Sequence, residues 1–300
     1  MRTTTWANIG KDVSKSNSVE DVLHNAGLDF EVTTQPLVTE SGIIIPNKVA
    51  TVATIGDESK VLGVVSKNYN ICQNKDAFEF VDTISDELEF ERAGMTHTGM
   101  VYVIARLPEV DVLGDAFTPY TILQNSFNGE YSLKATICPL RIVCQNQFSY
   151  AFGHSANNVS ILHSNNMINN MAQANELLKG TATYLTQFSD YAETYAAMKL
   201  SKSPEDIIHK FFEHAHTSIS QRAEAKTEEN SQLVLAAYNE DDNQNFKGTV
   251  WGLMNAFSDY TTHKPATSKR STEDSKFLNV TFNPILFQNF VNFVQSEYTR

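Results

Sequence analysis

Three hundred residues with 41% hydrophobic content, 18 Phe and 11 Tyr supply a real core, and a charged fraction of 19% excludes a disordered chain. The net charge of -12 excludes a protein that holds duplex nucleic acid over its whole surface, because phosphate affinity comes from Lys and Arg releasing counterions. Only a local basic or aromatic groove survives that test.

The first stretch, 1–29, is polar, with one helical pattern at Val19, Val22, Leu23 and Ala26. Ser18 is placed to cap its start and Gly27 to end it. Strand-like pieces follow at Phe30–Thr34, Ile43–Ile45, Val49–Ile55 and Val61–Val65, broken at Pro46-Asn47 and Gly56-Asp57. A helix capped by Asn74 then buries Ala77, Phe78, Val81 and Ile84. Glu87–Ala93 and Met100–Leu107 read as an antiparallel pair closed by Pro108. Beyond His163 the pattern turns helical. Met167–Met198 reads as a long helix or two with a kink at Gly180. Ser203-Pro204-Glu205 opens another helix running to about His216. Residues 219–240 form one more and end in the acidic run NEDDNQN, a solvated loop by composition. Gly248–Thr262 and Phe282–Tyr298 are the last helices, joined by the flexible stretch THKPATSKRSTEDSK. The expected fold is α+β: a 1–29 lead segment, a β-rich core over 30–165 built on a twisted antiparallel sheet with a packed helix, and a helical region over 166–300 packed on that core.

The stretch Tyr120–His163 organises the reading. Tyr120–Ser126 and Tyr131–Cys138 flank Asn128-Gly129, the strongest local signal for a tight type I′ hairpin. Pro139 then belongs at an edge or bulge before Leu140–Cys144. From Tyr131 to Asn175 there is no Asp or Glu, and Lys134 and Arg141 are the only full charges. An anion-binding surface is expected there.

Six stretches occur in order: LGVVSKNYNICQNKDAF (Leu62–Phe78), AGMTHTGMVYVIARLP (Ala93–Pro108), LQNSFNG (Leu123–Gly129), PLRIVCQNQF (Pro139–Phe148), ILHSNN (Ile161–Asn166) and WGLMNAFSDYTTHK (Trp251–Lys264). Together the chain resembles the uncharacterised phage/plasmid-like protein family, a domain of unknown function (932), over roughly residues 20 to 275 of the sequence. Where that family's hairpin usually reads Asn-Ser-His-Asp-Gly, Phe127 and Asn128 stand here. The resemblance implies a gene carried by phages, prophages or plasmids and supplies no established activity. A more distant likeness is to the phage single-strand annealing proteins of the RecT, Redβ and Erf type, which implies an oligomer working without a cofactor in recombination.

Each candidate residue has a structural alternative. Lys134 and Arg141 offer phosphate contacts, or cover the sheet and pair with carboxylates. Lys67 and Tyr69, at a strand-to-helix turn, offer a charge and a stacking ring, or plug the sheet–helix seam. Asn125, Asn146, Gln73, Asn74 and Gln145 can bond bases, or serve turns and caps. Phe127 is a second stacking candidate, His163 lies in the acid-free stretch, and Lys264, Lys269 and Arg270 form a second basic loop. His209, His214 and His216 lack metal-ligand spacing on a helix, so no metal is expected. No nucleophile elbow, phosphate loop or dinucleotide fingerprint is present, so no enzyme chemistry and no cofactor are expected. Cys72, Cys138 and Cys144 lack CxxC spacing and read as buried thiols in a reducing compartment. The opening MRTTTWANIG has no signal segment, and no apolar run nears the roughly 20 residues that span a bilayer. The expectation is a cytoplasmic chain with no membrane contact. The functional expectation is a non-enzymatic protein that binds single-stranded nucleic acid, with homo-oligomers expected from the likeness. The alternative is an acidic interaction protein that modulates a host or phage partner in defence or replication.

Overall fold

The computed structural model describes residues 9–79, 81, 88–96, 98–140, 158–161, 181–215, 221–263 and 285–298. Antiparallel sheets fill the first half and helices the second, the α+β arrangement that the sequence predicts.

Strands β1 (Lys11–Asp12), β5 (Glu89–Met95), β6 (Met100–Arg106), β8 (Asp115–Ser126), β9 (Leu133–Leu140) and β10 (Asn158–Ile161) lie side by side in that order, and β7 (Val110–Val112) pairs with β8. Every pairing is antiparallel. Alternate residues go to opposite faces. Val101, Val103, Ala105, Leu123, Leu133 and Ala135 join the main core, while Met100, Tyr102, Ile104, Tyr120 and Ile122 form a second cluster with Ile9. Both faces are therefore buried over the central strands.

Helix α1 (Val19–Ala26) sits on the main-core face. Ser18 accepts from the Asp21 amide and Gly27 takes the left-handed conformation at φ 72°, the two ends the sequence predicts. The smaller sheet is β2 (Glu31–Val38), β3 (Ile44–Ile55) and β4 (Glu58–Ser66). Pro46-Asn47 does not break β3, as its sequence suggested. Asn47 instead takes φ 60° within one strand, a conformation Asn tolerates better than most residues. The short helix α2 (Asn74–Phe78) buries Ala77 and Phe78, with Val81 buried just beyond. Its cap is Gln73, not Asn74.

The helical half comprises α3 (Thr181–Ala197), α4 (Pro204–Ala215), α5 (Gln221–Tyr238), α6 (Val250–His263) and α7 (Ile285–Tyr298). Ser203 caps α4 by accepting from the Asp206 amide at 3.1 Å. Phe211, Phe257 and Phe290 bind α4, α6 and α7, with Phe257 stacked on Phe290 at 3.8 Å. The run after α5 is a 3-10 helix, Asp241–Phe246, and not a solvated loop. Its Asn243 is buried and donates to the carbonyls of Tyr238 and Gly252. One continuous cluster of buried side chains joins the main-core face of the large sheet to the helices. The kink expected at Gly180, Ile84 and the loop after His263 lie outside the described residues.

Candidate functional site

The β8–β9 hairpin carries the site, but its turn differs from the predicted one. Strands end at Ser126 and resume at Leu133, so the connection is six residues, 127–132. Gly129 has φ 76°, whereas Asn128 keeps a negative φ. Asn128 works through its side chain instead. Its Oδ1 accepts from the Glu130 amide at 2.9 Å and from Ser126 Oγ at 2.7 Å, and its Nδ2 donates to the Thr98 carbonyl at 3.3 Å. The tight turns lie elsewhere. Gly56-Asp57 joins β3 to β4, and Leu113-Gly114 joins β7 to β8 with φ of 59° and 81°, the two positive angles of a type I′ turn.

The hairpin loop is also where the small sheet docks. Thr51 Oγ1 donates to the Phe127 carbonyl at 2.7 Å. A Cβ on Gly63 would lie 2.5 Å from Asn128 Cα, so glycine is what lets the backbones touch. Phe127 is fully buried, with its ring 6.1 Å from that of Phe30. Asn125 is equally buried, and its Nδ2 donates to the Cys72 carbonyl and to Asn74 Oδ1, each at 3.0 Å. Asn74 Nδ2 in turn donates to the Leu28 carbonyl. Gln73 pairs its side-chain amide with both backbone groups of Val32. These residues tie α2 to both sheets.

Tyr69 is half-buried and donates its hydroxyl to the Ser126 carbonyl at 2.9 Å. Burial raises its phenol pKa well above the ordinary value, with the neighbouring Cys72 adding to the shift. Lys67 is exposed just past β4, with its amide bonded to the Asn47 carbonyl. Lys134 stands opposite Gln124 on β8 and Ser160 on β10, on the face away from the main core. It is half-buried, and burial lowers the pKa of its ammonium. Strands β9 and β10 both come from the segment without Asp or Glu, and they are neighbours. The sequence gap in carboxylates thus becomes a continuous patch at one end of the large sheet. Arg141, Asn146, His163, Lys264, Lys269 and Arg270 lie outside the described residues.

Other features settle into structural roles. Cys72 is buried, which pushes its thiol up to about 12, with Asp76 adding to the shift. Glu89 accepts from the Arg106 guanidinium across the β5–β6 pair. His209 lies 3.6 Å from Glu213 and 4.0 Å from Glu228, on an exposed surface. Among the described residues no three His, Cys, Asp or Glu side chains form a metal-binding group, and no helix is long and apolar enough to cross a membrane.

Sequence reasoning missed one polar constellation. Thr227, Asn230 and Ser231 on α5, and Asn255, Ser258 and Asp259 on α6, are all buried, and the two helices pack together. Among the described residues, Ser231 Oγ, Ser258 Oγ and Asn230 Oδ1 have no hydrogen-bond partner. The signal was present as spacing: positions 227, 230 and 231, like 255, 258 and 259, put polar groups on one helical face.

Residues 61–280 match the family described as a domain of unknown function (DUF932). The chain belongs to that family. The match begins in β4, so α1, β2 and β3 precede it, and it takes in the acid-free strands of this DUF932 member as well as the α5–α6 seam. No curated protein and no solved structure matches the chain.

Proposed function

We propose that this DUF932 protein binds single-stranded nucleic acid along β9 and β10, without catalysing a reaction. The observation that supports the reading is the pairing of Lys134 on β9 with Ser160 on β10, two adjacent carboxylate-free strands, in a chain whose net charge is -12. A phosphate there meets the Lys134 ammonium, with no carboxylate from those strands to repel it. A stiff duplex laid on the protein would run into the acidic remainder of the surface, whereas a flexible single strand can follow one patch. Tyr69, bonded to the Ser126 carbonyl at the end of β8, extends the path by about two residues of strand, roughly 7 Å, and Lys67 lies two residues before it in the chain. Arg141 continues it along the chain from β9. Phe127 is withdrawn as a stacking ring because it is core, which leaves Tyr69. The resemblance to phage and plasmid proteins makes recombination within a host cytoplasm the setting of the proposal.

The test is fluorescence anisotropy of a labelled oligo(dT) against salt. Three phosphate contacts from Lys67, Lys134 and Arg141 give a slope of log K against log salt of about -2, at roughly -0.7 per contact. Lys134→Gln should weaken binding at low salt and flatten the slope by about 0.7. Absence of binding at low salt, or an affinity indifferent to salt, overturns the proposal.

A further inference from the structure

Helix α5 runs along α6 in the opposite direction. At one end the Gly248 amide donates to the Tyr238 hydroxyl at 2.6 Å, and Asn243 bonds the carbonyls of Tyr238 and Gly252. At the other end burial, and after it the Glu229 carboxylate, raises the phenol pKa of Tyr260. Both helices climb about 1.5 Å per residue, so this alignment sets Ser231 near the level of Ser258 and Asn230 near that of Asp259.

Every residue of α6 from Val250 to Tyr260 is buried, whereas α5 buries one stripe. That stripe changes character halfway. Thr227, Asn230 and Ser231 come from the first half of the helix, and Val234, Ala237 and Tyr238 from the second. The polar half is poorly served. Ser231 and Ser258 are 3% and 0% exposed, yet among the described residues neither hydroxyl has a hydrogen-bond partner, nor does Asn230 Oδ1. The charged tie from this half to α4, His209 Nε2 to Glu228 at 4.0 Å, is exposed and weak.

We propose that the first half of α5, Gln221 to Ser231, is a strap that parts from α6 by turning about the apolar contacts of Val234, Ala237 and Tyr238. Each orphaned hydroxyl or amide oxygen has given up water without a replacement, so closure carries a penalty that parting removes. The seam uncovers Asn255, Ser258 and Asp259, so opening there adds little apolar area to water. So short a segment does not hold its helix alone in water, and it unwinds as it leaves. The second half stays docked, because Gly248 and Asn243 hold Tyr238.

Hydrogen exchange of the full chain, resolved along α5, tests the proposal. Amides of residues 221–224 have no acceptor within the helix, so residues 225–231 are the ones to read. They should exchange about a hundredfold faster than residues 235–238, with only a weak dependence on urea below the unfolding transition. Ser231→Ala with Ser258→Ala should slow their exchange by about tenfold or more, because the closed state no longer buries two orphaned hydroxyls. Uniform protection along α5, or exchange of residues 225–231 only through global unfolding, overturns the proposal. So does exchange that the alanine pair leaves unslowed or hastens, which would mean that the hydroxyls are bonded in the closed state.

Discussion

Asn125→Asp tests whether the hairpin amides belong to the scaffold or to a ligand. The wild-type side chain is fully buried and aims both hydrogens of Nδ2 at acceptors, the Cys72 carbonyl and Asn74 Oδ1. Aspartate keeps the volume but offers an acceptor to two acceptors. Two net hydrogen bonds, each worth about 1 kcal/mol, vanish, and their stranded partners add the desolvation cost, so about 2–4 kcal/mol is lost before any charge is counted. The buried carboxylate is itself disfavoured, so its folded-state pKa rises above the unfolded value of about 3.9. The sign follows from linkage. Above the folded pKa the native state must bear the buried ion, and the variant is weakest. As pH falls from the folded pKa toward about 3.9 the folded carboxyl is protonated while the unfolded one is still ionised, so the neutral acid can donate one bond and the deficit shrinks. Urea denaturation of variant and wild type at pH 7 and pH 5 measures the difference at each. A deficit under about 0.5 kcal/mol, or one that grows toward acid, refutes the assignment. So does a loss of oligonucleotide binding with stability unchanged, since that would make Asn125 a ligand contact after all.

Gly63→Ala should destabilise by about 1–3 kcal/mol, because its Cβ would lie 2.5 Å from Asn128 Cα and the sheets would have to part; an unchanged urea midpoint contradicts that contact. Oligonucleotide affinity should fall with rising pH from a point below the ordinary lysine value of about 10.4, since burial lowers the pKa of Lys134 and its charge is lost early. The same group should make the fold more stable as pH rises through that lowered value; an affinity flat to pH 10 argues against Lys134 as the contact. With Cys138→Ser and Cys144→Ser in the background, Cys72 should resist a thiol reagent at pH 8 until the protein unfolds, given a thiol pushed up to about 12. Prompt labelling of native protein would count against its burial.

What could be read in advance was set by rules that act over a few residues. Ser18 and Gly27 bound α1, and Ser203-Pro204 opens α4, because caps depend on local backbone chemistry. Asn128-Gly129 misled because the pair permits a type I′ turn without compelling one. The side-chain bonds of Asn128 to Ser126, Thr98 and Glu130 favour a wider loop, and docking of Gly63 fixes it. Asn74 looked like a cap but serves a contact 51 residues away, with Asn125. Distance in sequence hides such partners. The outer face of the small sheet was illegible for a related reason: a bulge in β4 breaks the alternation that would have separated Val61 and Val64 from the core.

The carboxylate gap is a different kind of signal, because composition survives ignorance of geometry. Its weight comes from what the fold does with Lys134. An ammonium held half-buried loses hydration, and the usual remedy is a carboxylate nearby. Neither β9 nor β10 can supply one, since the whole run from Tyr131 to Asn175 lacks Asp and Glu. Glu130, just outside that run, accepts from Asn128 Nδ2 in the hairpin loop. The fold bears a desolvation cost at Lys134, and burial is what lowers its pKa. An anion laid along β9 would add negative charge beside an ammonium that burial has partly stripped of water. That coupling makes a definite demand: a bound oligonucleotide must raise the lysine's pKa, so binding at alkaline pH takes up protons. Calorimetry in two buffers of different ionisation heat reads that uptake directly, and equal heats in both would leave Lys134 as scaffold alone.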